Sequence, residues 1–103
     1  MTDIAEKIRT TAQIIMPENS KVILFGSRAR GDWHETSDWD VLLLFDTDHI
    51  NESDRERYVY PFWELGWQAD AMIHPIAYTI KEWEARRGCE FYNNVTTEGI
   101  LIC

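Results

Sequence analysis

The sequence predicts an α/β or α+β fold in which a small mixed β-sheet is covered by helices mainly on one face. Three observations carry this. Apolar residues fall at helical spacing near the N-terminus, short apolar runs rich in β-branched and aromatic residues interrupt that pattern, and helix-capping signals alternate with those runs within only 103 residues. The length suits one domain spanning 1–103, since no Gly/Ser- or Pro-rich linker divides the chain and no period of 20 to 50 residues repeats. A hydrophobic fraction of 45% with five Trp argues against disorder.

From Asp3 to about Met16, Ile4, Ile8, Ala12 and Ile15 form one apolar stripe, with Asp3 and Glu6 placed as a capping pair and Pro17 closing the helix. Lys21 to Phe25 reads as a buried strand that runs into a turn at Gly26-Ser27. A second strand runs from Asp38 to Phe45. Asn51 and Asp54 are spaced to cap a helix, but Pro61 interrupts it, so the helix either stops near Tyr60 or gives way to a new turn. Trp67 to Ile73 alternates as a third strand, with Asp70 and Met72 on one face and Ala69, Ala71 and Ile73 on the other. Thr79 and Glu82 make a capping box for a helix ended by Gly88. A last helix runs from about Cys89 to Glu98, followed by Gly99 and the apolar tail Ile100-Leu101-Ile102.

Ten Lys and Arg against 18 Asp and Glu leave a formal charge of −8, which disfavours direct nucleic-acid binding and attachment to an anionic membrane. The acidic N-terminus has no apolar signal region, and no run approaches a membrane span, so a cytoplasmic location is expected. Cys89 and Cys103 have neither the number nor the spacing of a disulfide scaffold or zinc site. The three histidines, His34, His49 and His74, share no ligand spacing and read as loop or strand-end residues, and the five Trp read as packing.

The chemistry concentrates between Gly26 and Asp40. Gly26 permits a sharp turn after the first strand, and Ser27 opens a short helical segment whose free N–H groups suit phosphate oxygens. Asp38 and Asp40, two apart on a strand, share a face, and two adjacent carboxylates call for a cation such as Mg²⁺ or Mn²⁺. Asp70, apolar on both sides, supplies a third carboxylate if its strand lies beside that of Asp40, which would allow two metal ions. Otherwise it is a strand-end aspartate bonded to a backbone N–H.

Gly26-Ser27, then Arg28-Ala29-Arg30-Gly31, then Ser37-Asp38-Trp39-Asp40 opening an apolar strand, then Asp70 resembles the polymerase-beta-like nucleotidyltransferase superfamily, and most closely its minimal nucleotidyltransferases. The resemblance covers nearly the whole chain. It implies transfer of a nucleoside monophosphate to a hydroxyl with release of pyrophosphate. Asp38, Asp40 and Asp70 would be metal-binding catalytic residues, Gly26 and Ser27 would cradle the outer phosphates, and Arg28 and Arg30 would neutralise phosphate charge unless they serve surface contacts. Small members of this superfamily commonly pair as antitoxins with helical HEPN-type toxins. The resemblance therefore implies a hetero-oligomer in which ATP donates AMP to the partner protein. Two other functions stay open: neutralisation of the partner by contact alone, and transfer to RNA or a small molecule.

Overall fold

The computed structural model describes residues 3–103. Four strands form one sheet in the order β3-β2-β1-β4. They are β1 (Lys21–Phe25), β2 (Trp39–Phe45), β3 (Ile73–Thr79) and β4 (Ile100–Leu101). β1 pairs antiparallel with β2 and β4, whereas β2 pairs parallel with β3, so the sheet is mixed. The parallel pair needs a crossover, and the helical segment between β2 and β3 provides it.

Strand alternation separates two cores. Val22, Leu24, Trp39, Val41, Leu43, Phe45 and Ile73 face α1 (Asp3–Ile15), with Ala5, Ile8 and Ala12, and the crossover helices, with Val59 and Phe62. On the opposite face Leu42 and Leu44 are sealed by Trp83 of α5 (Ile80–Glu84) and Val95 of α6 (Glu90–Glu98). The two longest helices thus lie on one face, but the second face is covered as well, except at Asp40 near the start of β2. Buried on both sides, β2 is apolar from Val41 to Phe45, as a central strand must be.

Several local signals act as their chemistry dictates. α1 ends at Ile15, before Pro17, although Asp3 is already helical and pairs with Lys7 (3.8 Å) rather than serving as a cap. Asn51 and Asp54 form a reciprocal capping box at α3 (Glu52–Asp54), and Thr79 and Glu82 form another at α5. The tail pairs as β4 with β1 and buries Ile102, while Ile100 and Leu101 stay exposed.

Pro61 neither stops the helix nor starts a new turn. α3 continues through a π-helical turn at Arg55–Val59 into α4 (Tyr60–Ala69). An α-helical proline would drive its ring against the carbonyl four residues back, that of Arg57. The wider turn, in which the Tyr60 N–H donates to the Arg55 carbonyl, relieves that crowding.

This continuation overturns the strand expected over Trp67–Ile73. Trp67 to Ala69 are helical, Asp70 caps α4 in the left-handed conformation (φ 53°), and β3 begins only at Ile73. Gly66 is a helix-interior residue whose missing side chain admits the returning backbone: a Cβ there would lie 3.2 Å from the Ile73 nitrogen. Pro75 fits β3 because that strand is an edge of the sheet.

Candidate active site

β1 ends at Phe25, and Gly26 turns the chain with φ +76° into the single helical turn α2 (Ser27–Arg30). The Gly26 carbonyl accepts from the N–H groups of Ala29 (3.0 Å) and Arg30 (3.1 Å). The N–H groups of Ser27 and Arg28, in the first turn, can have no such intrahelical partner. Glycine is required here for a second reason. A Cβ would collide with the Asp40 carboxylate, lying 3.2 Å from its Cγ atom. The turn and the aspartate are therefore packed against each other, and cross-strand pairing of Phe25 with Asp40 sets that register.

Asp38 is exposed immediately before β2, and Asp40 is half-buried within it. Trp39, between them, points the other way and is buried. Burial holds the Asp40 carboxyl above the usual aspartate range. The nearby Asp38 pushes it further up, and His74 and Arg30 pull against both. A half-buried carboxylate beside a second acid is a site that a hard divalent cation would stabilise, and two carboxylates with phosphate oxygens and water are a usual Mg²⁺ ligand set. The donor set therefore fits such an ion. Among the described residues no group of three or more His, Cys, Asp or Glu is arranged to hold one unaided.

The neighbour that the structure places beside Asp40 is His74. It lies directly opposite on β3, its Nδ1 is 3.5 Å from an Asp40 oxygen, and its ring packs on Trp63 at 5.8 Å between centroids. The sequence makes His74 a loop or strand-end residue, without pointing to Asp40 as its neighbour. The alternation of Ile73, Pro75 and Ala77 against His74, Ile76 and Tyr78 is the signal that could have placed it, once β3 is known to start at Ile73.

Asp70 does not join the pair. At the end of α4 it lines a cavity of about 440 Å³ together with Arg28, Ser37, Trp39 and Met72, on the Trp39 side of β2 and hence across the strand from Asp40. The convergence of three acids assumed a strand through Asp70, and that strand is a helix end.

The two arginines part ways. The Arg28 guanidinium stacks over Trp33 and Trp39, 4.4 and 4.3 Å from the ring centroids. It also donates to the Ser37 carbonyl (3.0 and 3.3 Å) and the Glu35 carbonyl (3.3 Å). These contacts tie down the loop that delivers Asp38 to the sheet. Arg30 stays on the carboxylate side, held by Asp32 (3.3 Å) and by Glu98 of α6 (3.4 Å).

A mixed sheet whose Gly-Ser turn packs against an aspartate of a paired Asp-x-Asp defines the class of this α/β protein. The chain belongs to the nucleotidyltransferase domain family, whose sequence pattern spans residues 4–96, and nucleotidyl transfer is its activity. A relative from Methanocaldococcus jannaschii that bears the name of a protein adenylyltransferase, MJ0141, is 37% identical over 80 residues, covering 76% of this chain and 80% of its own. A toxin-antitoxin structure with AMP-PNP matches with a TM-score of 0.65 at 21% identity, over 96% of this chain and 72% of that one. The Shewanella oneidensis complex of tri-AMPylated HEPN toxin with MNT antitoxin matches with a TM-score of 0.59 at 18% identity, over 97% and 69%. At these identities the likeness to the solved structures is one of fold.

Proposed function

We propose that this protein transfers AMP from ATP to a hydroxyl of a HEPN-type partner protein, acting as the antitoxin of a cytoplasmic toxin-antitoxin pair. The observation that carries the reading is the packing of Gly26 against the Asp40 carboxylate, which puts a phosphate-accepting turn and the acid pair at one sheet end. The named function of the Methanocaldococcus relative and the AMP-PNP and AMPylated toxin in the structural relatives support ATP as donor and a protein as acceptor.

In this reading Asp38 and Asp40 would hold one Mg²⁺ ion, which would neutralise charge on the triphosphate. Ser27 and Arg28 offer backbone N–H groups to phosphate oxygens, and Gly26 leaves room for their approach. His74 holds Asp40 from the neighbouring strand, and Arg30 adds positive charge at the rim. The acceptor oxygen bonds to the α-phosphorus, the bond to the β-phosphate oxygen breaks and pyrophosphate leaves, while the acceptor's proton passes to solvent. A second ion rested on Asp70, which lies across β2, so one ion is assigned.

The test is incubation of the protein with α-labelled ATP and Mg²⁺ in lysate of its native host, resolved into protein, RNA and small-molecule fractions. Label in a single protein band supports the reading and identifies the partner by mass. Label in RNA or a small molecule overturns the acceptor class. Among the described residues no third carboxylate joins Asp38 and Asp40, which favours one second reading, a nucleotide-binding antitoxin that acts by contact. Intact binding of Mg·ATP without label in any fraction is its signature.

A further inference from the structure

A nucleoside triphosphate held by the Gly26 turn must place its uncharged end somewhere, and a cavity of about 200 Å³ borders that turn between α2 and α6. We propose that this cavity seats the nucleobase, with Phe91 as its stacking wall and Asn94 as the group that selects the base. The inference rests on the nucleotide-binding reading above and extends it to specificity.

Continuity comes first. Gly26 and Phe25 line the cavity, and these are the residues that pack against Asp40 and pair with it across the strands. Cavity and carboxylate therefore open on one face of the sheet. Size comes second: whole small-molecule sites occupy about 300–1,000 Å³, so this one suits a single ring system rather than a complete nucleotide.

The walls supply the chemistry. Phe91 is partly exposed, and nearly perpendicular contacts with Phe25 (5.4 Å, 75°) and Trp83 (5.6 Å, 86°) fix its ring. A ring fixed in this way offers a π surface at little entropic cost. Arg30 also lines the cavity, and Glu98 pairs with it there, which weakens the pull of this wall on a further phosphate and suits an uncharged ring. Asn94 sits one turn before Glu98, exposed, and its amide makes no hydrogen bond among the described residues. A carboxamide presents a donor and an acceptor side by side, the complement of the N6 and N7 edge of adenine and a mismatch for guanine, which has two acceptors there.

The test is titration calorimetry of the native protein, Asn94→Ala and Phe91→Leu with Mg²⁺ complexes of ATP, GTP and inorganic tripolyphosphate. Asn94 is exposed, so its variant folds, and Phe91→Leu keeps an apolar contact for Phe25 and Trp83. The native protein is expected to bind ATP about tenfold or more tightly than GTP. Asn94→Ala should erase that preference, Phe91→Leu should weaken both nucleotides about tenfold, and both variants should leave tripolyphosphate affinity unchanged. If native ATP and GTP affinities are equal, or Asn94→Ala keeps the preference, or Phe91→Leu binds nucleotides like the native protein, the proposal is overturned while the triphosphate site stands. Failure of the native protein to bind any of the three overturns the nucleotide-binding reading itself, and this proposal with it.

Discussion

Gly26 and Asp40 occupy one small space, and each constrains what the other can be. Gly26→Ala should cost about 1–3 kcal/mol of stability, from the positive φ and from the clash with the carboxylate, and should abolish transfer; thermal melts and the labelling assay check both. Asp40→Asn should abolish transfer without that penalty. Burial raises the folded-state pKa of Asp40, so protonation favours the fold: the contribution is complete below the unfolded-state pKa and is lost as pH rises through the folded-state value. At neutral pH without metal the ionised residue therefore disfavours the fold. The variant should melt at the same temperature as the native protein or higher, any advantage shrinking as pH falls through the carboxylate range. A variant that melts well below the native protein at neutral pH would make Asp40 a structural residue.

At the scale of elements, what was legible in the sequence was whatever depends on neighbours along the chain. The run from Lys21 to Phe25, the apolar continuity of Val41 to Phe45 and the two capping boxes at Asn51 and Thr79 are short-range chemistry, and each appears where its residues predict it. The Gly26 turn and the Asp38 and Asp40 pair were legible for the same reason. Register and helix continuation were not. Ala69, Ala71 and Ile73 alternate well enough for a strand, and Pro61 reads as an interruption, yet the helix runs past it and on through Gly66, whose close packing against Ile73 needs a residue without a side chain. That one error moved Asp70 onto a strand it does not occupy and hid His74. Asp70→Asn, which tolerates the left-handed conformation, should accordingly retain transfer within about twofold of native. A loss of a hundredfold would return Asp70 to the site. Arg28 likewise acts on an element. Arg28→Ala removes two ring contacts and the anchors to the Ser37 and Glu35 carbonyls, and should destabilise by about 1–3 kcal/mol, with altered tryptophan fluorescence from Trp33 and Trp39.

At the scale of the whole molecule, a charge of −8 on 103 residues makes polyanion binding unfavourable except where the fold offsets it, and the start of β2 is where N–H groups, Arg30 and a cation would do so. Mg·ATP at a hundred times its dissociation constant should stabilise the fold by about 2.7 kcal/mol, a shift of several degrees in Tm, and ATP with chelator should do much less. Equal shifts would remove the metal from the account. The acidic surface also suits a basic partner, whose association should weaken as salt rises.

The most direct test of nucleotidyl transfer at the Asp38 and Asp40 pair compares ATP labelled at the α-phosphate with ATP labelled at the γ-phosphate, using the native protein and Asp40→Asn with the acceptor fraction and Mg²⁺. The account predicts acceptor label from the α position alone, and none with the variant. Label arriving from the γ position, or α label that survives Asp40→Asn, would contradict it.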